Sequence, residues 1–125
     1  MTKNFKSDKP IYMQVRERIE DQIINDELKE GEKAPSTSQL VNFYKINHLT
    51  VAKGVNQLVE EGILYRKRGI GTFVAEGARE ILLQKRKESF FEEHVMDLVF
   101  EARKLGITED EIVAFIKETE EEEKQ

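Results

Sequence analysis

Between residues 47 and 62 the apolar side chains Val51, Val55, Leu58 and Val59 recur at the spacing of one stripe on a 3.6-residue helical period. Asn47 suits an N-cap, because its side-chain oxygen can accept from first-turn N–H groups, and Gly62 can take the left-handed conformation that ends a helix. Upstream, Ile11, Val15, Ile19, Ile23 and Ile24 predict a helix from Pro10 to about Glu27. Leu28, Gly31 and Lys33 belong to a turn, and Ala34 and Pro35 are expected to be extended. Ser36-Thr37-Ser38-Gln39 matches a capping box and opens a helix with Leu40, Val41 and Tyr44 inward. Lys45-Ile46 then turns tightly into the helix after Asn47, making a helix-turn-helix unit. Two β-prone runs, 63–67 and 72–74, flank the glycine-bearing loop 68–71 and read as a hairpin.

The pattern changes after Glu76-Gly77, the expected boundary. Residues 79–105 lack Gly and Pro and predict one long helix, along which Phe91, Val95, Leu98, Ala102 and Leu105 step by 4, 3, 4, 3, the seam of a helix packed on another helix. Gly106 stops it. Thr108-Glu109-Asp110-Glu111 is a second capping box, with Ile107 and Ile112 placed as a hydrophobic staple. A last helix carries Ile112, Val113, Phe115 and Ile116 and is expected to dissolve into the acidic tail 120–125. The fold class is therefore α+β, mainly α: a winged helix-turn-helix over residues 1–76, opened by a loose arm containing Phe5, then a two-helix hairpin over 77–125. That hairpin has too little sequence for a core of its own, so its seam is expected to pair with a second copy of the chain.

Charge sharpens this picture. The net charge of -5 argues against a nucleic-acid partner, but its distribution does not. Residues 33–75 carry Lys33, Lys45, Lys53, Arg66, Lys67 and Arg68 against Glu60 and Glu61, a net of +4, whereas residues 79–125 hold eight basic and fourteen acidic side chains, a net of -6. With 38% hydrophobic and 36% charged residues, no run reaches the ~20 apolar residues of a membrane helix. No signal-peptide pattern is seen and cysteine is absent, so a cytoplasmic place without disulfides or thiolate metal sites is expected.

His48, Leu49, Thr50 and Lys53 lie on the first turn and a half after Asn47, off the apolar stripe, with no acid before Glu60. They can donate to phosphates or base edges at a helix amino end, or form an ordinary exposed face. Leu49 meets a thymine methyl if it points outward and a core neighbour if it does not. Gly54 implies a close approach, by the second helix or by DNA. Arg66, Lys67 and Arg68 beside Gly69 and Gly71 put positive charge on a loop slim enough to approach a narrow groove; the bland alternative is a solvated basic turn. His94 has Leu98 where a metal-ligating helix needs a ligand, and Glu92, Glu93 and Asp97 read as a solvated face. With no nucleophile–base pair, phosphate loop or zinc constellation, neither enzyme activity, metal nor cofactor is expected.

The ordered set Pro10-Ile11-Tyr12-x-Gln14, Gly31-Glu-Lys-Ala-Pro-Ser36, Leu40, Thr50-Val51 and Gly62-Ile-Leu-Tyr-Arg-Lys-Arg-Gly-Ile-Gly-Thr-Phe-Val74 resembles the DNA-binding domain of the GntR family of bacterial transcription regulators over residues 10–75. The short helical C-terminal part is similar to the YtrA-like subfamily, in which it serves dimerisation. The resemblance implies a homodimer on double-stranded operator DNA with an inverted repeat, the helix after Asn47 in the major groove and the wing tip, Arg68 to Gly71, at the minor groove. It places the DNA-facing set at Lys33, Ser36, Ser38, Lys45, Asn47, His48, Leu49, Thr50, Lys53, Arg66, Arg68, Gly69 and Gly71. Many members carry Arg where this chain has Ser38, and Ser-Arg where it has Asn47-His48, so those arginine contacts are not available here. A repressor is the expected role. Control by a small-molecule effector and control by protein level alone both stay open. The competing expectation is a winged-helix adaptor that binds another protein along the 91–105 seam and reads no DNA.

Overall fold

Helix α1 (Ile11–Ile24) opens the part of the chain that the computed structural model describes, residues 8–124; the expected arm with Phe5 lies outside the described residues. Its apolar positions Val15, Ile19 and Ile23 are buried, as the periodicity predicts. It stops short of Glu27 because Asp26 takes a left-handed φ of 61°, a conformation a short polar side chain tolerates. Residues 31–34, expected as turn and extended chain, run along the edge of the hairpin. The Gly31 N–H donates to the Val74 carbonyl (2.8 Å), the Val74 N–H to Glu32 (2.9 Å) and the Ala34 N–H to Thr72 (2.8 Å), with Lys33 bridged to Phe73.

The capping box forms as read: Ser36 Oγ accepts from the Gln39 N–H at 3.0 Å, and Gln39 Oε1 accepts from the Ser36 N–H at 2.8 Å. This starts α2 (Thr37–Tyr44), which ends on Lys45 at φ 57°. Asn47 Oδ1 accepts from the Leu49 N–H at 2.7 Å and caps α3 (His48–Glu60). At its other end Gly62, at φ 79°, lets its N–H donate to Val59 and that of Ile63 to Leu58, a Schellman stop with Leu58 and Ile63 both buried. Strands β1 (Leu64–Lys67) and β2 (Gly71–Val74) pair antiparallel, Leu64 opposite Val74 and Tyr65 opposite Phe73. Leu64 and Val74 turn into the core, while Tyr65 and Phe73 stack at 5.8 Å.

Helix α4 (Ala78–Phe90) starts one residue beyond Gly77. Ala78 and Leu82 are buried in the same core as Val15, Val51 and Val74, so the first compact unit is Met1–Lys85 and the second Arg86–Gln125.

The single helix expected over 79–105 is interrupted. A π turn, Phe91–Val95, separates α4 from α5 (Met96–Leu105), and the Met96 N–H reaches back to the Phe91 carbonyl. The added residue moves Phe91 off the stripe continued by Leu98, Ala102 and Leu105. Gly106, at φ 70°, closes α5 with the Ile107 N–H on Ala102 at 2.9 Å. The second capping box then starts α6 (Glu109–Lys124), the Glu111 N–H donating to Thr108 Oγ1 at 3.2 Å and the Thr108 N–H to Glu111 Oε1 at 3.0 Å. The tail expected to dissolve at residue 120 remains helical to Lys124, consistent with the high helix propensity of Glu and Lys.

Candidate nucleic-acid interface

Helix α3 divides cleanly by burial. Val51, Gly54, Val55 and Leu58 face inward, and Leu49, Lys53, Asn56 and Glu60, one helical stripe on the opposite side, are all exposed. Leu49 is 77% exposed, so it points outward and makes no core contact. His48 is exposed beside it and Thr50 half-buried. Gly54 lies under the first turn of α1: a Cβ there would stand 2.7 Å from the Tyr12 carbonyl oxygen. The close approach is thus made by α1, not by α2 or DNA. The same turn positions Lys53, whose ammonium lies 4.0 Å from the centroid of the Tyr12 ring. A cation held over an aromatic face keeps its charge while losing much of its freedom.

The wing presents its charge in three ways. Arg68 and Ile70 are exposed at the tip next to Gly69, where φ is 76° and a side chain would be strained. Lys67 folds back over Phe73, 4.6 Å from the ring centroid. Arg66 donates through Nη2 to Asn56 Oδ1, so it ties the wing to the exposed stripe of α3. Lys33 runs along Gly71, where a Cβ would meet its Cε at 2.6 Å; glycine there makes room for that lysine at the wing base. Ser36 is committed to its cap, Ser38 is exposed, and Lys45 is exposed at the α2–α3 turn.

Of the two acids in this region, Glu61 is half-buried and paired with cations. It accepts from Arg16 at 2.6 Å on both oxygens and from Lys85 at 2.7 Å. Arg16 also donates to Glu20 at 2.9 Å and to Gln57 at 2.9 Å. The Arg16 hydrogen bond, opposed by burial and aided by Lys85, holds the Glu61 carboxyl down at about 2. The Arg16 guanidinium is held above its ordinary range, first by Glu61. Neutralised in this way, Glu61 subtracts little from the positive face. Sequence reasoning missed this network, and it missed Asn56, although the spacing from Leu49 and Lys53 places Asn56 on their stripe.

In the second unit Leu98, Ala102, Leu105, Ile112, Phe115 and Ile116 line an apolar groove of about 510 Å³ between α5 and α6. Phe91 and Val95, expected in the same seam, lie outside it. Ala102 is buried within the hairpin. Among the described residues no helix is long and apolar enough to cross a membrane, and no three His, Cys, Asp or Glu side chains are grouped to hold a metal ion.

A helix-turn-helix with a basic hairpin beside its second helix defines a winged-helix DNA-binding protein. The model of bacterial regulatory proteins of the gntR family matches residues 11–74, and the chain belongs to that family of DNA-binding transcription regulators. Among its relatives are the uncharacterized HTH-type transcriptional regulator YhcF of Bacillus subtilis, 32% identical over 94% of this chain and 95% of that protein, and the HTH-type transcriptional repressor YtrA of the same organism, 30% identical over 90% and 86%. Similarity to YtrA across both units places the chain with the YtrA-like members. A GntR-family regulator from Bacteroides thetaiotaomicron superposes with a TM-score of 0.74 at 34% identity, over 90% of this chain and 98% of that one. AraR(DBD) in complex with operator ORX1 matches with a TM-score of 0.54 at 31% identity, over 58% of this chain and 93% of that one.

Proposed function

We propose that the protein is a homodimeric repressor that occupies an inverted-repeat operator, joined through its second unit and reading DNA with α3 and the wing. The α3 stripe supports the reading half of this. It is exposed, uncharged or basic up to Glu60, carries Lys53, and is tied to the basic wing through Arg66. His48, Leu49, Thr50 and Lys53 meet base edges and phosphates in the major groove, while Arg68, with Gly69 and Gly71, reaches the minor groove. Lys33, Ser36, Ser38, Lys45 and Asn47 are assigned to the phosphate backbone. AraR(DBD), in complex with operator ORX1, is the relative that supports operator DNA as the partner; the repressor sign follows YtrA. A cytoplasmic site of action goes with this role.

The observation that carries the dimer is the apolar surface of the second unit. Leu98, Leu105, Phe115 and Ile116 rim the groove and are each about half exposed or more, and Phe90, Phe91, Val99, Phe100 and Val113 are exposed as well. So much uncovered apolar surface on one hairpin is the mark of an interface, and residues with the same exposed set are supplied by a second copy. Sedimentation of Leu98→Glu beside the wild type tests it. The wild type is expected to sediment as a dimer and the variant as a monomer that has lost tight binding to promoter DNA. A fully dimeric Leu98→Glu protein places the interface elsewhere, and a monomeric wild type with a foreign protein on the groove returns the adaptor reading.

A further inference from the structure

We propose that Asn56 is a base-reading residue of α3 and that Arg66 is the positioning residue that aims it. The inference rests on α3 facing the DNA groove, and deepens that reading. Arg66 stands in β1 opposite Thr72, and its Nη2 donates to Asn56 Oδ1. A guanidinium offers donors and no acceptor, so the Asn56 amide must turn its oxygen to the wing, whichever way that amide would point alone. Its Nδ2 is thereby directed away from Arg66, on the exposed stripe shared with Leu49 and Lys53.

A free asparagine in the major groove pairs with adenine by giving one hydrogen bond and accepting another. An asparagine with its oxygen already engaged meets the bases donor first, and the edges that answer a lone donor are purine N7, guanine O6 and thymine O4. The pair therefore does two things. It fixes the amide plane, so that one donor direction is presented without an ordering cost at the moment of binding, and it sets the angle between wing and helix so that both engage one duplex. Arg66, whose charge alone would suit a phosphate, acts through Asn56.

The test uses the full-length protein, the tightest duplex recovered by selection from a randomised DNA pool, and a scrambled duplex of the same length. Asn56→Ala and Arg66→Ala, both at exposed positions, are expected each to weaken binding to the selected duplex about tenfold per engaged head, the equivalent of one lost hydrogen bond that carries information in each. Binding to the scrambled duplex is expected to change less than about twofold on the same scale. The double variant is expected to bind like the weaker single one, because the two side chains work as a unit. Arg66→Ala should keep the wild-type salt dependence, whereas Arg68→Ala should reduce the log–log slope by about 1.8, the signature of one neutralised phosphate lost from each of two heads. Additive losses in the double variant, a salt slope that falls by about 1.8 in Arg66→Ala, or an Asn56→Ala protein that binds as the wild type would each overturn the assignment. If Lys53→Ala and Arg68→Ala also bind both duplexes as the wild type does, the failure lies with the α3 reading itself and removes this inference with it.

Discussion

A methyl group at Gly54 would stand 2.7 Å from a backbone oxygen of α1, well inside ordinary contact, and backbone cannot swing aside as a side chain can. Alanine would favour the isolated helix by about 1 kcal/mol, but the clash forces α1 off α3, and overpacking of this kind costs about 1–3 kcal/mol. Gly54→Ala is therefore expected to lower stability by up to about 2 kcal/mol net on these figures, read as a shifted urea midpoint with unchanged slope. It should also loosen Lys53 from the Tyr12 ring, since both contacts come from the same turn of α1. A midpoint that rises would mean that α1 yields freely. A mid-helix glycine announces a close approach in the sequence, yet which element approaches is a property of the packed helices. Leu49 is a similar case: periodicity leaves it at the margin of the apolar stripe, and its 77% exposure follows from where α1 and the core lie.

At the scale of elements, features built from neighbours in the chain were legible and those built from distant partners were not. Both capping boxes, the glycine stops at Gly62 and Gly106 and the hairpin each depend on a few adjacent residues. The pairing of residues 31–34 with β2 and the Arg16 network do not. Arg16 sits on α1 among buried neighbours at 8% exposure and joins that helix to the end of α3 through Glu61, which Lys85 of α4 also holds. Removing the guanidinium leaves Glu20 and Glu61 without their main partner, and Arg16→Ala is expected to cost about 3–5 kcal/mol, as for other buried pairs broken on one side. The network also makes stability depend on pH with a definite sign. Glu61 falls from an ordinary 4.5 to about 2 on folding, so between those values the unfolded chain binds more protons. The stabilisation is complete above the unfolded value and is lost as pH falls through the folded one. Because Glu61 keeps some exposure, screening leaves on the order of 1–2 kcal/mol. Urea titrations at successive pH values should show that decline, and Glu61→Gln should flatten it; an unchanged profile would show that other carboxylates carry it.

For the whole molecule, the net charge hides two opposed parts, +4 over residues 33–75 and -6 over residues 79–125. An overall acidic chain can therefore still present a locally cationic segment to a polyanion. Salt measures this directly, since each phosphate neutralised contributes about 0.9 to the log–log slope. A winged helix applying about three or four of its cations to phosphates gives a slope near -3 on that scale, and a dimer with both heads engaged gives roughly -6. Between 50 and 200 mM salt the dimer is then expected to lose on the order of a thousandfold in affinity or more. Leu98→Glu should bind the same duplex with about half the slope as well as with lower affinity, because one head remains intact while the other is no longer tethered to it. That halving separates loss of pairing from damage to the reading head: a variant whose winged helix had unfolded would lose the salt dependence altogether. A wild-type slope equal to that of Leu98→Glu would mean that only one head touches DNA at a time, and the inverted-repeat reading would fail even if the protein were a dimer in solution.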